Sequence, residues 1–235
     1  MRYHFFWDQP YPSVVAFFYQ FFLTLMALSF VLATGILARR RIKQARLGWS
    51  EFSSESTFNG AVFASEILKS GTASGWMIVK GTGPLANFAD PFRRELRLSE
   101  GVAGGRTIEA LAIASHQAGH ILADSRNCWR SRARVTLILG SKLAILAAWL
   151  TLLAGALMLS PALTDRGALL AASTVLTLLV LQVFEGEANR RALLTIREAS
   201  LDEAWTTEQK QGFARVLEAA RWVEIASTLP LAGGK

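Results

Sequence analysis

The sequence predicts a mainly α membrane protein, with three transmembrane helices and a cytoplasmic α+β domain that carries a short sheet. Three observations predict it. The 235 residues are 51% hydrophobic with a mean hydropathy of +0.30, more apolar than an ordinary soluble domain. Three apolar runs, 14–37, 135–159 and 168–184, have the length and composition of membrane spans. Basic residues abut those runs: Arg39, Arg40, Arg41, Lys43 and Arg46 follow the first, Arg126, Arg130, Arg132 and Arg134 precede the second, and Arg190, Arg191 and Arg197 follow the third. Charges so placed set topology, and no aromatic-basic pattern accompanies the net charge of +7, which argues against nucleic acid.

Taken in order, residues 1–12 are short and aromatic, with Trp7 and Tyr11 suited to a membrane interface. The run 14–37 follows as the first transmembrane helix; its basic cluster comes after the apolar stretch, which is the reverse of a cleaved signal peptide. Residues 39–134 have no spanning segment and form a polar domain. Within it, apolar residues at helical spacing predict a helix over 58–68, ended by Lys69-Ser70-Gly71. Short strands are predicted at 76–79 and 95–98, separated by a breaker-rich segment over 81–91; they either offer a peptide an edge to pair with or serve packing alone. Thr107 is the predicted N-cap of a further helix over 107–122.

The second span, 135–159, contains Lys142, whose stem can snorkel toward the basic end. The third, 168–184, covers only about 26 Å at about 1.5 Å per residue, short but adequate for one arm of a hairpin. Residues 160–167 read as the turn between two antiparallel helices. The tail, 185–235, is helical in pattern, with Phe213, Val216, Leu217, Ala220 and Val223 on one side. The chain thus divides at 1–38, 39–134, 135–184 and 185–235. The positive-inside rule places the amino terminus and the 160–167 turn outside a cell (inner) membrane and the rest in the cytoplasm.

The chemistry-bearing stretch is Ser115-His116-Gln117-Ala118-Gly119-His120. Residues four apart share a helix face, so His116 and His120 can aim at one point, the geometry for a metal. A His-Glu-x-x-His helix supplies two zinc ligands and a glutamate as general base; here Gln117 stands in the glutamate's place. The one cysteine, Cys128, excludes an internal disulfide and a multi-thiolate site, so any metal relies on His and carboxylates. The hairpin returns the chain to the same membrane face at about residue 184, where Glu185 is the first carboxylate it meets. Glu187 competes for the role, but residues two apart on a helix face different ways, and either acid can instead pair with Arg190 or Arg191. His4 and Cys128 have no assigned role.

From about residue 58 to 229 the chain resembles the YugP-like neutral zinc metallopeptidases, membrane proteins of gluzincin type. The resemblance rests on Leu96-Arg97-Leu98-Ser99-Glu100-Gly101-Val102, on the helix through Gly119-His120, and on Glu185-Gly186-Glu187-Ala188-Asn189-Arg190-Arg191-Ala192. It implies zinc held by His116, His120 and Glu185. Two departures stand out: Gln117 where the family has Glu, and Asn87-Phe88-Ala89 before Asp90-Pro91 where the family has Asp-His-Tyr.

A glutamine can hold a water by a hydrogen bond but cannot take its proton, and losing a general base costs about 10² to 10⁴ in rate. The sequence therefore predicts a zinc-binding peptidase homologue with lost or strongly reduced proteolysis, a pseudoenzyme that binds membrane-proximal segments of other proteins. Two alternatives remain open at this stage: an active zinc endopeptidase with another proton shuttle, and a metal-free membrane scaffold.

Overall fold

A computed structural model describes residues 12–50, 52, 58–71, 73–83, 86–124 and 129–227. The readings made above for His4, Trp7, Tyr11, Arg126 and Cys128 fall outside them. The elements run α1 (Pro12–Arg46), α2 (Gly60–Ser70), β1 (Met77–Lys80), β2 (Phe88–Asp90), β3 (Glu95–Leu98), α3 (Glu100–Gly104), α4 (Ile108–Ala123), α5 (Trp129–Leu157), α6 (Pro161–Glu198), α7 (Thr207–Ala220) and α8 (Val223–Ser227). Among the described residues three helices are long and apolar enough to cross a membrane: Phe17–Arg46, Trp129–Leu157 and Pro161–Glu198. The protein is a mainly α membrane protein with one small sheet.

The chain forms two compact units. The first holds residues up to Thr34 together with Leu139–Leu178, the apolar stretches of α1, α5 and α6. Its surface is apolar: Phe18, Phe22, Met26, Leu143, Leu150 and Leu176 are exposed. Lipid tails are as apolar as leucine, so helices associate in a bilayer through close packing and shared hydrogen bonds. Both occur here. The Thr24 hydroxyl donates to the Thr164 carbonyl at 3.3 Å, and a Cβ added at Gly155 would lie 2.8 Å from the Thr164 methyl.

The structure corrects one expectation in this unit. Residues 160–167 are not a turn: α6 starts at Pro161, and only 158–160 join it to α5. Proline fixes a helical φ and its missing N–H is one that a first helical turn leaves unpaired, so Pro161 starts the helix that its turn-like neighbours seemed to exclude. Leu159, at φ +46°, makes the reversal.

The second unit holds Gly35–Ile138 and Leu179–Lys235. Its core packs α2, α4 and α7 around Phe63, Ile67, Leu111, Ile121, Phe213 and Leu217. Asn59 caps α2 by accepting from the Val62 amide, Thr107 caps α4 by accepting from the Ala110 amide as its sequence predicts, and Thr206 with Gln209 forms a reciprocal capping box on α7. The sheet has the order β1-β3-β2, with β1 parallel and β2 antiparallel to β3, Ile78 opposite Leu96 and Ala89 opposite Leu96 on its other side.

Strand β2 lies inside the breaker-rich segment and has no strand signal of its own, being three residues long. Its turn makes it. Asp90 accepts from the amides of Phe92 and Arg93, and Arg94 at φ +54° turns the chain back so that β3 completes the ladder.

Candidate metal centre

Helix α4 is buried along almost its whole length, which is why its sequence is rich in alanine: small side chains let neighbouring helices approach. At Gly119 the approach is extreme, since a Cβ there would lie 2.2 Å from the Ala188 carbonyl oxygen of α6. This contact brings the histidine face of α4 against the turn of α6 that carries Glu185 and Asn189.

His116 Nε2 lies 3.0 Å from Glu185 Oε2, and His120 Nε2 lies 3.1 Å from the same oxygen. One donor atom from each of the three residues falls within 4.8 Å of the others, and all three side chains are buried. Asn189 fixes how His116 uses its ring. The Asn189 amide nitrogen donates to the Leu217 carbonyl at 2.7 Å, so its Oδ1 is left to accept from His116 Nδ1–H, also at 2.7 Å. With that proton on Nδ1, a neutral His116 presents an Nε2 lone pair. Nε2 is thus the ring atom turned to Glu185 Oε2, 3.0 Å away.

The spacing suits a shared metal ion. Ligands about 2.0–2.1 Å from a tetrahedral zinc are about 3.3 Å apart, close to the spacings seen here. Two imidazoles and a carboxylate are also a zinc donor set. Burial, and then the Arg134 guanidinium, push the His120 imidazolium down to about 3 against the pull of Glu185, so His120 is neutral, as a ligand must be.

Glu185 is fully buried, and its second oxygen, Oε1, accepts from Arg134 Nε at 2.8 Å. Arg134 is itself only 5% exposed. It therefore leaves one carboxylate oxygen for a metal and balances the charge of Glu185. Glu187 points elsewhere: it bridges Arg190 and Arg191 at 2.7 and 2.9 Å on the helix surface.

Gln117 is 7% exposed, and its carbonyl oxygen has no hydrogen-bond partner among the described residues. With His116 it lines a cavity of about 170 Å³, walled by Ile42, Ile113, Val216 and Val223. Asn87 lies on the same wall, its Oδ1 taken by the Ser99 amide at 2.8 Å. Arg46, also on the wall, is ion-paired with Glu109. On the far side of His120 a small polar pocket holds Asp124, Arg130 and Ser131, and burial raises the Asp124 carboxyl to about 6 against a Ser131 backbone hydrogen bond and the two arginines.

Sequence reasoning brought His116, His120, Gln117 and Glu185 to one place and missed two residues beside them. Asn189 follows Glu185 by four, the spacing that joined the histidines, and that rule would have found it. Arg134 gave no signal, because it reads as one more basic residue at the edge of a span.

A family profile described as "Putative neutral zinc metallopeptidase" matches residues 23–231. The chain belongs to this family. It is 29% identical over 209 residues to a Bacillus subtilis (strain 168) protein named "Putative membrane protease YugP", across 88% of this chain and 89% of that protein. No solved structure matches. Family membership and the buried His/His/Glu group agree on zinc as the metal the centre is suited to.

Proposed function

We propose that this protein is a membrane zinc metallopeptidase homologue that holds zinc through His116, His120 and Glu185, has lost most or all proteolysis, and binds membrane-proximal segments of other proteins. The observation that carries the metal assignment is the convergence of one donor atom each from the buried His116, His120 and Glu185 within 4.8 Å, the two-imidazole, one-carboxylate set that zinc takes. Bound zinc would supply Lewis-acid polarisation of a carbonyl and a water acidified toward about pH 7.

The chain's own residues determine what becomes of that chemistry. Asn189 orients His116, Arg134 limits Glu185 to one oxygen, and Gln117 stands where the family's resemblance puts the base. An amide neither takes a proton from a nucleophile nor returns one to a leaving amine. Substrate held there is positioned without being cut. The basic clusters along the span ends support a cytoplasmic site with the amino terminus outside, and residues 39–134 and 185–235 as the cytoplasmic parts.

A second reading has one observation behind it. Asp124 is a buried carboxyl raised to about 6, near the pH where a general base works well, in the pocket beside His120. If it shuttles protons, Asp124→Asn abolishes whatever hydrolysis the native chain has; a native chain without hydrolysis removes this reading. Metal analysis tests the leading one: purified protein carries one zinc per chain, and His116→Ala carries almost none. Native protein with zinc far below stoichiometric, unchanged by that substitution, would leave the metal-free scaffold.

A further inference from the structure

We propose that the cavity beside Gln117 seats the C-terminal residue of a polypeptide, an apolar side chain next to a free carboxylate. Three features of the cavity each match one part of such a residue. Its wall is apolar at Ile42, Ile113, Val216 and Val223, and its volume of about 170 Å³ is that of a space for one side chain; an apolar cavity of about 150 Å³ holds a benzene-sized group. Gln117, more than nine-tenths buried, has a carbonyl oxygen with no donor from the described residues, the group that a peptide N–H would meet. Of the polar groups on the wall, Asn87 has its oxygen taken and its NH2 left to donate to an anion, while the Arg46 guanidinium is shared with Glu109. Among the described residues that line the cavity there is no carboxylate.

The metal centre adds to this, and here the inference depends on the zinc reading above. Arg134 is ion-paired with Glu185 and so balances the one carboxylate among the ligands. A zinc ion keeps its full charge there, because Gln117 removes the anion that a glutamate would contribute. Such a centre in a buried setting favours an anionic partner over a neutral amide. Of the three ligands His116 is the one that lines this cavity, so a carboxylate at that end would be the part of the ligand nearest the cation, with its side chain in the apolar part.

The test is calorimetric titration of detergent-solubilised, zinc-loaded full-length protein after its metal content is measured. The probes are N-acetyl-leucine, N-acetyl-leucinamide, N-acetylglycine, and the peptide Ala-Ala-Ala-Ala-Leu with a free or an amidated end. N-acetyl-leucine binds at least about tenfold more tightly than the leucinamide, and about tenfold more tightly than N-acetylglycine, which lacks the side chain. The free-ended peptide binds as N-acetyl-leucine does, and Gln117→Glu weakens both. One zinc per chain with no preference for acid over amide overturns the carboxylate seat; equal binding of N-acetylglycine overturns the side-chain pocket. Binding of N-acetyl-leucine without the peptide overturns the polypeptide occupant. A chain that takes up no zinc overturns the metal reading, and the carboxylate's seat with it.

Discussion

At the scale of single residues, Glu185 has three buried partners: two imidazoles on one oxygen and Arg134 on the other. Removing one partner of a buried ion pair costs roughly 3–5 kcal/mol, because the other charge is left uncompensated. Arg134→Met therefore destabilises the zinc-depleted protein by roughly 3 kcal/mol, and less when zinc is bound and neutralises Glu185 instead. Thermal unfolding with and without a chelator measures both. Asn189→Ala releases the His116 ring and lowers zinc affinity by about 10- to 100-fold, as loss of groups that orient metal ligands does, measured by competition with a chromophoric chelator. Asp124 gives a pH signature. Its carboxyl is raised from 3.8 to about 6 in the fold, so the folded state binds the proton more tightly and the contribution of Asp124 to stability falls as pH rises from about 4 to about 6. Relative to Asp124→Asn, the native chain loses thermal stability across that window; a constant difference would contradict the assignment.

At the scale of elements, the centre depends on how near α4 comes to α6. Gly119→Ala places a methyl carbon against the Ala188 carbonyl, and overpacking of this kind typically costs about 1–3 kcal/mol. The expected result is a lower unfolding temperature together with weaker zinc binding, since the same displacement separates the histidines from Glu185. Much of this level was legible in the sequence. The strand at Glu95–Leu98, the Thr107 cap and the helix carrying both histidines follow from local patterns, because caps and periodicity are written in adjacent residues. What was not legible depends on partners far along the chain. Strand β2 exists through its ladder with β3, and Pro161 reads as a turn until the helix it starts is seen. Arg134 becomes part of the site only when α5 and α6 bring it to Glu185, and a row of arginines at a span edge gives no reason to single it out.

At the scale of the molecule, the apolar exposed faces of α1, α5 and α6 mark a membrane protein, and the basic clusters are the basis of the proposed orientation. Tags on the two termini test it: an accessible amino terminus outside and a carboxyl terminus inside are expected, and a cytoplasmic amino terminus would reverse the placement of the centre. On the proposed reading the zinc site in this membrane setting binds without cutting, and Gln117 is the residue that would decide between the two. Peptide hydrolysis by zinc-loaded native protein, compared with Gln117→Glu at equal metal content, tests that most directly. Restoring a carboxylate where the base belongs raises the rate by about 10² to 10⁴ over a native chain near background. A native chain that already cleaves as fast as the variant contradicts the account.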